Sequence, residues 1–243
     1  AFIMINRIIE TKKKEVAALQ TGEAPPRTRP VVPFKLKDGI NVIAELKRRS
    51  PSAGDIGEID DFRIAVYDRY ATAVSILTDA TYFGGSFDIL ADVAGKMSIP
   101  ILCKDFIIDV SQIDLAWSKG ADMILLIARI LDENSLKYLY DHARGLGLNC
   151  LVEIHETKEL KKIAGLNAGI VGVNSRDLDT LAIDLDGAQK ILSFVEAPVR
   201  VAESGIRSRA DIGKLAGANC FLVGETLMSS TDLESTFREL IYG

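Results

Sequence analysis

This sequence has little of what builds a metal centre, a disulfide framework or a membrane span. It holds three cysteines and two histidines in 243 residues. Cys103, Cys150 and Cys220 stand apart inside apolar runs, without the spacing of metal ligands or paired half-cystines, and are expected to be reduced core residues. His142 falls in a helix-like stretch and is expected at the surface. His155, two residues after Glu153, could approach a site, but one nearby histidine makes no metal centre. No apolar run approaches the length of a bilayer span, and the opening AFIMINRIIETKKKEV lacks a signal-peptide layout. An excess of positive charge is missing as well: the net charge of −5 argues against a general affinity for nucleic acid or anionic membrane. The expectation is a cytoplasmic protein that handles a small molecule, without metal, nucleic acid or membrane.

What is present is an ordinary globular composition, 48% hydrophobic and 26% charged, at a length that suits one α/β barrel or two small domains. The stretch Asn41 to Gly57, NVIAELKRRSPSAGDIG, organises the rest. Its apolar run reads as a strand, so Glu45 and Lys47, two residues apart, share a face. Ser-Pro-Ser-Ala-Gly then stops the strand, and the C-terminal mouth of a strand is where α/β enzymes keep their chemistry. A solvated salt bridge at a strand end is the plainer alternative.

From Asn41 onward a two-beat pattern repeats. Strand-like runs are NVIAEL at 41, AVSIL at 73, PILCK at 100, DMILL at 122, NCLVEI at 149, GIVGVN at 169, PVRVAE at 198 and NCFLVG at 219. Helical patterns such as DFRIAVYDRYA and DENSLKYLYDHARGLG lie between them. Successive strand-helix units favour a closed parallel barrel, because right-handed crossovers can return the last strand beside the first. The predicted fold class is α/β, a single (βα)8 TIM barrel with an extra N-terminal helix. Residues 1–40 would be a helical extension and 41–243 the barrel, together one domain. A doubly wound open sheet is the alternative, weakened by the absence of GxGxxG after the first strand. Residues 2–20 read as an amphipathic helix, with Ile3, Ile5, Ile8, Ile9, Val16 and Leu19 opposite a solvated Lys12-Lys13-Lys14 face. Such a helix would cover one barrel end or contribute a lid.

In a barrel the site lies at the C-terminal strand ends, and these are polar in turn. They carry Glu45 and Lys47, then Lys104 and Asp105, then Glu153, then Asn174 and Arg176, then Glu203 and Ser204. A ring of such groups near a barrel axis makes sense mainly as a mutually paired site. A lysine whose pKa is lowered by burial or a neighbouring cation can donate a proton near neutrality, and a sheltered glutamate can accept one. A lysine Schiff base is also compatible with this composition. Gly205 and Gly224, just past the seventh and eighth runs, free backbone N–H groups for an anion, and loops at these places form the usual phosphate site of barrels. Ser50 can reach that site, and Glu225 is expected to turn its side chain outward while its N–H serves the phosphate. Gly224→Asp is then expected to raise KM far more than it lowers kcat. Phe83, Phe106, Leu125, Leu178 and Leu181 could form a slot for a flat aromatic group.

With these residues assembled, the sequence resembles the indole-3-glycerol phosphate synthase family. The matching stretches include AELKRRSPSAGDI, SILTDATYFGGS, ILCKDFIID, GADMILLIARIL, LVEIH, VGVNSRDLDT, VAESGI and FLVGETLM. The resemblance implies ring closure of 1-(2-carboxyphenylamino)-1-deoxyribulose 5-phosphate with loss of carbon dioxide and water, by acid-base chemistry that needs no cofactor. It implies Lys104 as general acid and Lys47 as partner of the substrate carboxylate. Glu153 and Glu45 would stabilise the developing cation and act in dehydration. Asn174 and Arg176 would orient the lysine and the substrate, and Ser204 would bond the sugar portion. Ser50, Gly205, Gly224 and Glu225 would hold phosphate, and Phe83, Phe106, Leu125, Leu178 and Leu181 would enclose the ring. The expected assembly is a monomer. Another sugar-phosphate barrel lyase or isomerase, or a catalytically silent phosphate-binding barrel, is the alternative.

Overall fold

The computed structural model describes residues 3–19, 25–50 and 54–243. Eight parallel strands close on themselves: β1 (Asn41–Leu46), β2 (Ala73–Leu77), β3 (Ile101–Lys104), β4 (Met123–Ile127), β5 (Asn149–Ile154), β6 (Ile170–Asn174), β7 (Val199–Glu203) and β8 (Cys220–Val223). Closure is made by β8 against β1, with Asn41 opposite Cys220 and Ala44 opposite Val223, so the open-sheet alternative falls away. Each strand is rich in Val, Ile and Leu and is covered on both faces, as parallel strands require.

Most helices begin where the sequence supplies a short polar cap; Glu159–Ile163, between β5 and β6, begins without one. The side chains of Asp60, Ser86, Asp109, Asp132, Asp184, Ser208 and Asp232 each accept a backbone N–H of the following first turn. A cap of this kind contributes about 1 kcal/mol per helix. The helices then bury one stripe against the outside of the barrel, on Val42, Ala44, Leu46, Val74, Ile76, Ile101 and their equivalents.

The barrel interior is the other set of alternate residues. Ile43, Ala73, Leu102, Met123, Leu125, Leu151, Val201, Cys220 and Leu222 form one packed cluster. Because side chains alternate, the next inward position after Ile43 is Glu45, after Leu102 it is Lys104, after Leu151 it is Glu153 and after Val201 it is Glu203. The polar ring is thus the top layer of the same columns whose lower layers are apolar. Cys103, Cys150 and Cys220 are buried and unpaired, in keeping with their reading as core residues.

The N-terminal helix (Ile3–Leu19) lies over the C-terminal ends of the strands, and its Ile5 and Ile8 join the interior cluster. From there the chain reaches the opposite end, where the Arg27 guanidinium donates to the carbonyls of Trp117 and Ala121 and to the buried Asp122. One expectation is corrected here. Lys13 and Lys14 are solvated, but Lys12 is only 1% exposed, held among Glu15, Asp79 and Asp105. Three consecutive lysines on a helix point about 100° apart, so a charged run can still place one member on the buried face.

Candidate active site

A cavity of about 380 Å³ opens at the C-terminal ends of the strands. Fifteen of the sequence-predicted site residues line it: Lys104, Lys47, Glu153, Glu45, Asn174, Ser204, Arg176, Phe83, Phe106, Leu125, Leu178, Leu181, Gly205, Gly224 and Glu225. The side chain of Ser50 lies outside the described residues. Met4 and Ile8 of the N-terminal helix also line the cavity, so that helix roofs the site.

At its floor the Lys104 ammonium stands 3.7 Å from Glu153 and 3.7 Å from Glu203. Both contacts are loose for a charge-assisted bond, which leaves the Nζ protons available to a third partner. Glu45 and Lys47 pair at 2.7 Å, as their shared strand face predicts. Behind Glu153, the His155 Nε2 lies 3.3 Å from its other oxygen. Among the described residues, Glu153 Oε2 and both Glu203 oxygens are buried without a hydrogen-bond partner. Buried acceptors of this kind take a donor from water or from a ligand.

Two glycines let these groups approach. A Cβ on Gly172 would run into Glu203, and a Cβ on Gly224 would meet Glu45 Oε1 at 2.6 Å and Lys47 Nζ at 3.0 Å. The turn after β7 is held in an uncommon backbone conformation, with φ of 68° at Ser204 and 73° at Gly205. Ser175 ties this turn to β6, its hydroxyl donating to the carbonyls of Glu203 and Ser204. After β8, Gly224 begins a short helix whose first turn has no side-chain cap. Glu225 is exposed, and its carboxylate sits 3.8 Å from Arg176. Arg176 in turn donates to the Leu181 carbonyl and shapes the loop that carries Leu178 and Leu181 over the cavity. Opposite that loop, the rings of Phe83 and Phe106 stand 6.3 Å apart at 35°, with Leu125 below them in the interior cluster.

The family model for indole-3-glycerol phosphate synthase matches residues 5–240. The chain belongs to this family. It is 43% identical over 247 residues to the indole-3-glycerol phosphate synthase of Bacillus thuringiensis (strain Al Hakam), covering 97% of each chain. It is 42% identical over 245 residues to that of Bacillus cereus (strain G9842), again over 97% of both. Among solved structures, 3-hexulose-6-phosphate synthase from Salmonella typhimurium superposes with a TM-score of 0.68 at 13% identity, over 83% of this chain and 96% of that one. At that identity the likeness speaks for the barrel alone.

Within this member of the indole-3-glycerol phosphate synthase family, the electrostatics of the floor differ from the sequence expectation. Burial pulls the Lys104 pKa down, but Glu153, Glu203 and Glu45 together outweigh it and hold the ammonium well above its ordinary value. The expected lowering of a lysine pKa is therefore corrected: Lys104 rests as a charged acid. Burial pushes Glu203 well above the usual carboxylate range, and Glu153 beside it adds to the push. Burial also opposes ionisation of Glu45, yet Lys47 and Lys104 prevail and keep it below its ordinary value. Glu203 was visible at a strand end but received no role from the sequence, since nothing in the chain order shows that it shares Lys104 with Glu153.

The raised Glu203 has a measurable consequence. A carboxyl with a raised folded pKa contributes stability that is present below its unfolded value, 4.5, and is lost as pH rises through the folded value. Glu203→Gln cannot ionise. Thermal unfolding of wild type and Glu203→Gln from pH 4 upward should show a Tm difference that moves in favour of the variant as pH rises. A difference that is flat with pH would contradict the assignment.

Proposed function

We propose that this chain closes the indole ring of 1-(2-carboxyphenylamino)-1-deoxyribulose 5-phosphate, with the cavity residues in the following roles. The observation that carries the reading is a charged lysine between two buried carboxylates, in the same cavity as an aromatic slot. The aromatic ring lies between Phe83, Phe106, Leu125, Leu178 and Leu181. Its carboxylate faces Lys47, and the phosphate lies against the turns at Gly205 and Gly224 and the N–H of Glu225.

In this pose the ring carbon bearing the carboxylate attacks the ketone carbon. A carbon-carbon bond forms, and the carbonyl oxygen takes a proton from Lys104 to become a hydroxyl. A protonated lysine is a matched donor here, because the alkoxide that would otherwise develop is at least as basic. The bond to the carboxylate then breaks, carbon dioxide leaves, and its electron pair restores the aromatic ring. The hydroxyl next takes a proton from the Lys47 ammonium and leaves as water, while a carboxylate removes a proton from the carbon beside nitrogen; one proton from solvent restores the two lysines and the carboxylate. Glu153 and Glu45 serve the cationic nitrogen and this dehydration. Asn174, whose side chain accepts the Arg176 backbone N–H, orients the loop at the mouth, and Ser204 bonds the sugar chain. The electrons balance within the substrate, so the protein's part is to bind, orient and move protons.

The test is conversion of that substrate to a fluorescent indole product, with inorganic phosphate added in increasing amounts. Competitive inhibition by phosphate supports the binding pose, and absence of conversion overturns the function. The geometry changes one expectation for this experiment. Because a Cβ on Gly224 presses on both Glu45 and Lys47, Gly224→Ala should lower kcat as well as raise KM. A change confined to KM would mean that the pair tolerates the side chain.

A further inference from the structure

We propose that Lys12 is a positioning residue of the aromatic subsite, clamping the N-terminal helix and both slot phenylalanines into one unit. The inference rests on the reading that Phe83 and Phe106 hold the substrate's ring. Met4, Ile8, Thr11, Lys12 and Glu15 recur at helical spacings of three and four, so they form one stripe of the helix. Met4 and Ile8 line the cavity. One turn further on, Lys12 is 1% exposed, and its ammonium lies 2.7 Å from Asp105, 2.8 Å from Asp79 and 2.7 Å from Glu15. The ammonium thus sits among three carboxylates, donating a hydrogen bond to Glu15 and ion-paired with Asp79 and Asp105.

The two buried acids are the ones that set the slot. Asp79 accepts the backbone N–H groups of Tyr82 and Phe83, capping the turn that carries Phe83. Asp105 follows Lys104 directly and accepts the N–H of Phe106, while its other oxygen takes the Thr78 hydroxyl. Lys12 therefore neutralises two carboxylates that would otherwise be buried as like charges, and it does so only while the helix is docked. Two weaker contacts run in parallel, Thr11 hydroxyl to Tyr82 hydroxyl at 3.1 Å and Thr81 hydroxyl to Glu15 at 3.4 Å. The purpose that fits this arrangement is specificity: the roof over the ring and the walls beside it move together. The phosphate turns after β7 and β8 have no link to the cluster through these contacts. Loss of Lys12 should loosen the ring subsite and spare the phosphate subsite.

The test uses the full chain with two probes, anthranilate for the ring subsite and inorganic phosphate for the other. Lys12→Met keeps the stem but removes the charge. Anthranilate affinity should fall by about tenfold or more, and KM should rise with it, while phosphate inhibition changes by less than about twofold. Lys12→Arg, which keeps the charge, should restore part of the loss. If Lys12→Met fails to fold, Lys12→Met/Asp79→Asn removes one of the stranded charges while keeping an oxygen to cap Tyr82 and Phe83, and the same split is expected. A variant with lowered Tm but unchanged anthranilate affinity well below its Tm overturns the proposal and leaves Lys12 as a structural ion pair. Equal loss of both probes overturns it too. A wild-type chain that binds neither probe and converts no substrate would overturn the functional reading instead.

Discussion

Lys104→Met is expected to lower kcat by at least about 100-fold, and by up to about 10,000-fold, the span that a positioned general acid contributes. The substitution keeps most of the stem's volume and removes the proton and the charge. It leaves Glu153 and Glu203, each 1% exposed, facing each other without a cation. Stranding a full charge at such a place costs several kcal/mol, but Glu203 already favours its protonated form, so the fold can relieve the strain by holding that proton. The variant should therefore fold, with a lowered Tm, and bind a non-reactive substrate analogue with a far smaller change than that in kcat. The check is kcat beside the dissociation constant of the analogue. A variant that retained more than about a tenth of wild-type kcat would take the acid role from Lys104 and give it to Lys47.

Glu153→Gln should have the next largest effect, a fall in kcat of about 100-fold or more, with a change in pH dependence that sets it apart from Lys104→Met. Burial alone would lower the Lys104 pKa; Glu153 is the foremost of the charges that lift it back above its ordinary value. With glutamine at 153 the foremost of these charges is gone while Glu203 and Glu45 remain, and burial counts for more. The alkaline limb of kcat/KM, which reports deprotonation of the essential acid in the free enzyme, should move toward neutral pH. Profiles of wild type and variant over the same pH range decide the matter. An unchanged alkaline limb together with a lowered kcat would mean that Glu153 acts as a base without tuning Lys104.

The barrel was legible because eight short apolar runs and the polar breaks between them follow from local rules, and each run became a strand within about a residue of its expected bounds. The site was legible for a related reason. In a strand the face of a side chain is fixed by counting in twos, so the end of each run tells which residue looks inward. Glu45, Lys104 and Glu153 could be assembled in this way before any contact was known. Lys12 could not be. Its neighbours are sixty-seven and ninety-three positions away, at Asp79 and Asp105, and a helix rotates its residues finely enough that the buried lysine and its solvated neighbours look alike in sequence. The pKa of Lys104 was illegible for the same reason. Its direction depends on the sum of burial against three carboxylates brought in by β1, β5 and β7.

The measurement that bears most directly on the account is the stoichiometry of the reaction itself. Wild-type protein incubated with 1-(2-carboxyphenylamino)-1-deoxyribulose 5-phosphate should release carbon dioxide and form the indole product in equal molar amounts, with no added cofactor. Substrate loss without an indole product, or indole formation without matching carbon dioxide, would contradict ring closure at this site.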